Sequence, residues 1–265
     1  MPKITIIETG LISPEPRALH GTFPQMFERL LGAADASASF ATVRLMGGEA
    51  LPDPANLEAI LITGSPAGVY DDLDWIAPLE RFVRTAYQLK IPTAGICFGH
   101  QVMAQALGGT VRKSDKGWGI GRHVYDVVPG NGVIGGEKIA VAASHQDQVI
   151  EPPAGAAPIF RSSFTPHAGL LYANGAAMSV QPHPEFTPAF ADWCCEKAGR
   201  NGAPAPLVAS AKASLEQPLD HSDLGGAIAR FLARPRKVWR AGWQLPGAIR
   251  HPSSRQQTAS DQPVG

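Results

Sequence analysis

Residues 95–109 read GICFGHQVMAQALGG. The apolar run from Ile91 to Ile96 leads into this stretch, and a helix-like pattern follows until Gly108 and Gly109, where a helix would stop. At the junction stands Gly95-Ile96-Cys97-Phe98-Gly99, of the form G-x-C-x-G. That is the thiol counterpart of the G-x-S-x-G elbow, in which glycines let a strand and a helix approach around a sharp turn. The central side chain then stands above the carboxyl end of a parallel sheet, where open α/β sheets bind ligands. Amides of the helix start point at it, and the dipole there favours the thiolate. A small buried core cysteine would account for the sulfur but not for both glycines.

Short apolar runs alternate with helical patterns on either side of this elbow. Lys3 to Ile7 and Ala59 to Thr63 read as buried strands, and Thr22 to Leu31 as a helix. Asp74 is placed to cap a helix from about Trp75 to Leu89, with Trp75, Leu79, Phe82, Val83 and Ala86 on one face. From Val111 the rhythm changes. Arg122 to Val128, Lys138 to Ala143, Ile159 to Ser162 and Gly169 to Gln181 read as consecutive strands, and helices return at about Pro188 to Gly199 and Asp223 to Ala233. The pattern predicts an α/β fold: a central, mostly parallel sheet with helices on both faces and a small antiparallel extension. Residues 1–200 are expected to form the main domain, 201–235 a helical extension packed on it, and 236–265 a loosely ordered tail.

Bulk composition narrows the functions. The 265 residues carry 23 Lys+Arg against 23 Asp+Glu, which offers no electrostatic case for nucleic acid or an anionic membrane. Two of the three cysteines, Cys194 and Cys195, are adjacent, so no disulfide framework is expected and a reducing, cytoplasmic setting is the natural expectation. The start MPKITIIETG has no signal-peptide pattern, and no apolar run reaches the roughly 18 residues of a membrane helix. No metal and no cofactor are expected, because histidine, cysteine and carboxylates show no ligand spacing.

A thiol nucleophile needs a base, and the base needs an orienting group. Among eight histidines, His183 stands out in the stretch from Ser179 to Phe186, SVQPHPEF. Pro184 pushes His183 toward an extended conformation, and residues two apart in an extended segment share a side. Glu185 can then accept the ring N–H of His183. His100 is a neighbour rather than a base, since its chain direction differs from that of Cys97, and at least one of Cys194 and Cys195 is expected to be plain packing.

With the elbow and the histidine in place, the chain resembles the class I, or triad, glutamine amidotransferases. The resemblance rests on Gly95, Cys97, Gly99 and Gln101 in the elbow, and on His183-Pro184-Glu185. It also rests on Ile60 to Pro66 (ILITGSP) as the oxyanion strand and on Ser144 to Val149 (SHQDQV), and it covers about residues 1–190 in motif order. Ser65 departs from the glycine found in many members, and it would be strained if the backbone there needed positive φ.

The resemblance implies a flavodoxin-like domain in which Cys97 attacks the side-chain amide of glutamine. It implies Gly64 or Ser65, together with Phe98, as oxyanion donors, His183 as acid and base, and Glu185 as its orienter. Gln101, Ser144 and His145 are implied as substrate-binding residues. The pattern from Thr63 to Asp72 (TGSPAGVYDD) looks closer to stand-alone members, of the GMP-synthase-glutaminase or γ-glutamyl peptidase kind, than to synthetase-fused ones. The glycine-rich stretches 117–121 and 130–136 lack the G-K-[ST] ending of a nucleotide loop. Two fates remain open for the ammonia: a separate synthetase partner, or a free-standing hydrolase of glutamine or γ-glutamyl amides. A non-catalytic module that retained the fold is the competing class, and intact Cys97, His183 and Glu185 argue against it. Cysteine-elbow peptidases with histidine directly after the cysteine fit less well, since Phe98 holds that place.

Overall fold

The structure is a computed structural model that describes residues 2–234. The tail expected at 236–265 lies outside the described residues. In chain order the strands are β1 (Lys3–Glu8), β2 (Ser39–Arg44), β3 (Ala59–Ile62), β4 (Thr93–Ile96), β5 (Thr110–Lys113), β6 (Gly119–Val127), β7 (Lys138–His145), β8 (Asp147–Glu151), β9 (Ala157–Arg161), β10 (Gly169–Leu171) and β11 (Ala177–Val180). The helices are α1 (Pro14–His20), α2 (Phe23–Ala34), α3 (Ile76–Gln88), α4 (Phe98–Ala106), α5 (Pro188–Arg200), α6 (Ala205–Ser214) and α7 (His221–Leu232).

Nine strands form one sheet in the order β2-β1-β3-β4-β11-β10-β9-β6-β7. The pairs from β2 to β11 are parallel, and the pairs from β11 to β7 are antiparallel. The antiparallel extension therefore continues the main sheet with four strands, and β5 with β8 forms a separate two-stranded ribbon.

The apolar runs make sense once both faces are covered. Alternate residues of each parallel strand point to opposite faces. Ile4 and Ile6 of β1, Ala59 and Leu61 of β3, and Met178 and Val180 of β11 enter one core with Phe27 and Leu31 of α2 and Leu224, Ile228 and Phe231 of α7. Ile7, Ile60, Ile62 and Ala177 enter a second core with Leu79, Phe82 and Val83 of α3 and Phe98, Val102 and Met103 of α4. A third, smaller core joins Ile120 and Ala142 of the antiparallel half to Phe190, Ala191, Cys195 and Ala198 of α5 and Ala211 of α6.

Several elements differ from the sequence expectation. The stretch 169–181 is a hairpin, β10 and β11, because Gly175 sits at φ 74 and Asn174 Oδ1 accepts from the amides of Ala176 and Ala177. α3 begins at Ile76 with Trp75 at its N-cap position and no side-chain cap, so Asp74 does not cap it. β2, β5, β8, α1 and α6 add to the expected elements. The expected stop after α4 is present: Gly108 takes φ 95 and the Gly109 amide donates to Ala104 O at 2.8 Å.

Candidate active site

Cys97 sits between the end of β4 and the first residue of α4, with φ 53 and ψ −102. Apart from Lys90, it is the one non-glycine residue at positive φ among the described residues. Such a conformation costs energy and persists where the surroundings fix it. Here its amide donates to Val180 O at 2.9 Å, and the next-but-one amide, of Gly99, donates to Thr63 O at 3.1 Å. Both elbow glycines are forced by contact. A Cβ on Gly95 would stand 2.4 Å from Gly99 O, and one on Gly99 would stand 2.3 Å from Ile62 O.

The loop at residues 63–66 lies beside Cys97. It is shaped by a clamp that the sequence motifs did not reveal. Thr9, just past β1, donates its amide to Thr63 Oγ1 at 3.0 Å and its hydroxyl to Thr63 O at 3.0 Å. The neighbouring Gly10 leaves room for the loop, since a Cβ there would meet Gly64 O at 2.6 Å. A Thr-Gly pair directly after an apolar strand was the available signal. Ser65 does not take positive φ, so the strain expected from its departure is absent, and its Oγ accepts from the Ala67 amide at 3.2 Å. Among the described residues the amides of Gly64, Ser65 and Phe98 donate to no backbone acceptor outside the regular elements.

His183 joins the edge of β7 through a single bridge to Ala142, its amide donating to Ala142 O at 2.8 Å. A turn follows, and this turn, rather than a continued strand, brings Glu185 back alongside. His183 Nδ1 donates to Glu185 Oε1 at 2.7 Å, and both side chains are buried. Phe186 stacks flat on the imidazole, with ring centroids 3.9 Å apart and planes 9° apart. The Cys97 side chain shares a cavity with the same ring and interacts with it electrostatically. Gly64 completes the triangle, as a Cβ there would stand 3.0 Å from His183 Cε1 and 3.7 Å from Cys97 Cβ. Burial pushes the His183 imidazole down, but Glu185 and then Cys97 outweigh it and raise the pKa to about 10.

Cys97, Gly64, Ser65, Gln101, Ser144, His145 and His183 line one cavity of about 210 Å³. Phe98 is buried in the α3–α4 core, and only its backbone faces the elbow. Glu185 stands behind His183 and outside the cavity lining. Gln101 donates from Nε2 to Asp147 O at 2.9 Å and to Gln181 Oε1 at 3.1 Å. His145 is held neutral, because burial first and the nearby His123 and His183 next push its pKa to about 3. Its Nδ1 therefore donates to Asp147 O at 3.1 Å, and its Nε2 remains an acceptor with no partner among the described residues. Tyr70 donates its hydroxyl to Asp147, at 3.0 Å from each carboxylate oxygen, and so ties the loop after β3 to the start of β8.

His100 is not brought to the site. It is fully buried with Nδ1 2.7 Å from Ser179 Oγ, and burial pushes it down to about 3. Cys195 is packing, its thiol pushed up to about 11 by burial. Cys194 differs: it lines the cavity, and burial raises its thiol far above the ordinary range. Among the described residues no group of three His, Cys, Asp or Glu side chains clusters as metal ligands, and no helix is long and apolar enough to cross a membrane.

Known proteins share the family and the fold of this chain. The family description "Glutamine amidotransferase class-I" matches residues 33–192, more than half of the chain. The chain belongs to the class I glutamine amidotransferases. It is 31% identical over 130 residues to a subunit of the glutamine-hydrolyzing GMP synthase of Sulfolobus acidocaldarius, covering 48% of this chain and 67% of that protein. It is likewise 31% identical over 153 residues to gamma-glutamyl peptidase 5 of Arabidopsis thaliana, covering 54% of this chain and 60% of the peptidase. The chain thus spans about two thirds or less of the length of these relatives. The crystal structure of a glutamine amidotransferase from Methylobacillus flagellatus superposes with a TM-score of 0.70 at 23% identity, covering 95% of this chain and 99% of that one. The class I amidotransferase fold is flavodoxin-like, as the sheet order and the two covering layers also have it.

Proposed function

We propose that this class I amidotransferase is a cysteine-dependent hydrolase of glutamine or a γ-glutamyl amide. The observation that carries the proposal is the position of His183, buried between Glu185 Oε1 at 2.7 Å and the Cys97 side chain on a strained elbow. With its pKa raised to about 10, His183 stays protonated at neutral pH and holds a proton beside the Cys97 sulfur.

The sulfur attacks the amide carbonyl carbon. The oxyanion that forms is received by the backbone amides of Phe98 and of Gly64 or Ser65, each donor worth about 3 kcal/mol in the transition state. His183 gives its proton to the leaving nitrogen, and the C–N bond breaks to leave a thioester on Cys97. Water then enters, His183 takes its proton, and glutamate departs as the thiolate returns. Glu185 orients the ring and supports its charge throughout. Gln101, Ser144 and the neutral His145 bind the amino-acid end of the glutamyl group from the cavity wall. No metal and no cofactor take part in this scheme.

A second use of the same chemistry is favoured by the relative that belongs to a GMP synthase: ammonia handed to a separate synthetase. Nucleic acid and membrane play no part in either version, and the proposed setting is cytoplasmic. The test is release of ammonia or amine from glutamine and γ-glutamyl amides by wild type and Cys97→Ala. Release that requires the thiol supports the proposal; equal release by both proteins removes it. Co-purification of a synthetase that raises turnover would favour the second use.

A further inference from the structure

We infer that the preferred substrate is a γ-glutamyl conjugate whose leaving amine carries a flat aromatic group and a carboxylate, as in a γ-glutamyl aromatic amino acid. This deepens the hydrolase reading above and rests on it. The leaving nitrogen must lie on the His183 side of Cys97, because His183 protonates it. Glutamine leaves as a single nitrogen and needs little room there. The cavity continues much further. From His183 it passes the stacked ring of Phe186 and follows one face of α5 through Phe190, Trp193, Lys197 and Asn201. At a rise of about 1.5 Å per residue, Phe190 to Asn201 alone spans about 16 Å.

The walls of this extension have a specific chemistry. Trp193, Phe23 and Trp118 are half-buried and line it, so each offers ring surface to an occupant. Phe190 is fully buried beneath them and packs edge-on against Phe186, with centroids 4.6 Å apart. An aromatic leaving group finds stacking and edge contacts here. Lys197 Nζ lies 5.5 Å from the Trp193 ring centroid. Among the described residues no carboxylate is within ion-pair distance of it, because the nearest acids of α5, Asp192 and Glu196, are drawn to Lys212 of α6 at 3.2 and 2.6 Å. A half-buried cation beside an aromatic wall suits a carboxylate attached to an aromatic group.

The step balances with water as the one co-reactant. The γ-glutamyl C–N bond breaks as the Cys97 thioester forms, His183 gives the amine its proton, and hydrolysis of the thioester releases glutamate beside the free aromatic amino acid.

The experiment compares kcat/KM of the full chain for glutamine, γ-glutamylalanine, γ-glutamylphenylalanine and γ-glutamylphenylalanine amide, in wild type, Lys197→Gln and Cys97→Ala. The expected result is γ-glutamylphenylalanine at least about tenfold better than glutamine, with the free acid about tenfold better than its amide in wild type and the two nearly equal in Lys197→Gln. Glutamine turned over as well as the conjugate, or an acid-to-amide ratio that Lys197→Gln leaves alone, overturns the inference while the hydrolase reading stands. Equal turnover by wild type and Cys97→Ala on every substrate removes both. The wild-type acid-to-amide ratio alone decides the charge question should Lys197→Gln fold poorly.

Discussion

His183 Nδ1 and Glu185 Oε1 are 2.7 Å apart in a site where both side chains are almost fully excluded from water. A charge pair in such a place holds its proton far more tightly than a solvated histidine would. Replacing Glu185 by Gln keeps the shape and removes the charge. The expected outcome is a fall in kcat on the order of a hundredfold, with the alkaline limb of the pH–rate profile, expected near pH 10 in wild type, moving down. Steady-state rates between pH 6 and pH 11 measure both effects. An unmoved alkaline limb would show that Glu185 does not set the charge of His183.

The same pair links stability to pH. In the unfolded chain His183 titrates near 6.5, and in the folded protein near 10. Between these values the folded state holds a proton that the unfolded state has lost, so the contribution is complete below about pH 6.5 and is lost as pH rises toward 10. Denaturant midpoints are therefore expected to fall across this window in wild type and to fall less in His183→Gln.

Strain at Cys97 gives a further expectation. With φ at 53, a side chain there costs about 1–3 kcal/mol, whereas glycine accepts the conformation at a smaller entropic cost. Cys97→Gly should therefore be more stable than Cys97→Ala by about 1 kcal/mol, although both abolish turnover. Urea unfolding with unchanged slope tests the difference.

Gly99 is the opposite case. Its φ is ordinary, but an added Cβ would meet the Ile62 carbonyl oxygen at 2.3 Å, and backbone cannot step aside cheaply. Gly99→Ala is expected to cost at least about 2 kcal/mol and to disturb the elbow, seen as a lower thermal midpoint together with lost activity.

The parts of the fold that could be read from sequence are those whose pattern has one physical cause. The buried strands Lys3–Glu8 and Ala59–Ile62 are apolar on both sides because helices cover both faces of the sheet. The elbow was legible because Gly95 and Gly99 are each required by a backbone contact. The missed elements lacked such a cause. Ser39–Arg44 is a half-buried edge strand, and Thr110–Lys113 pairs with Asp147–Glu151 in a ribbon whose residues are largely polar. Ala205–Ser214 is made mostly of small residues and buries only Ala211. The hairpin within 169–181 did carry a signal, Asn174-Gly175, which the apolar flanks obscured.

In the site, the elbow cysteine, the histidine and its carboxylate were legible because each belongs to a local motif, although Cys97 and His183 meet only through the fold. Thr9, Tyr70 and Lys197 reach the site only through tertiary packing. Nothing in the neighbourhoods of Thr9 and Lys197 marks them beyond the Thr-Gly pair after β1, and Tyr70 lies in the stretch 63–72 without a role legible there.

The central claim is a covalent step at Cys97. Rapid quenching of a turning-over mixture with radiolabelled glutamine or a γ-glutamyl amide, followed by intact-mass and peptide analysis, reads that step directly. The account predicts a base-labile γ-glutamyl adduct on the peptide containing Cys97, absent from Cys97→Ala. Product formation with no adduct on that peptide, at a rate Cys97→Ala shares, would contradict it.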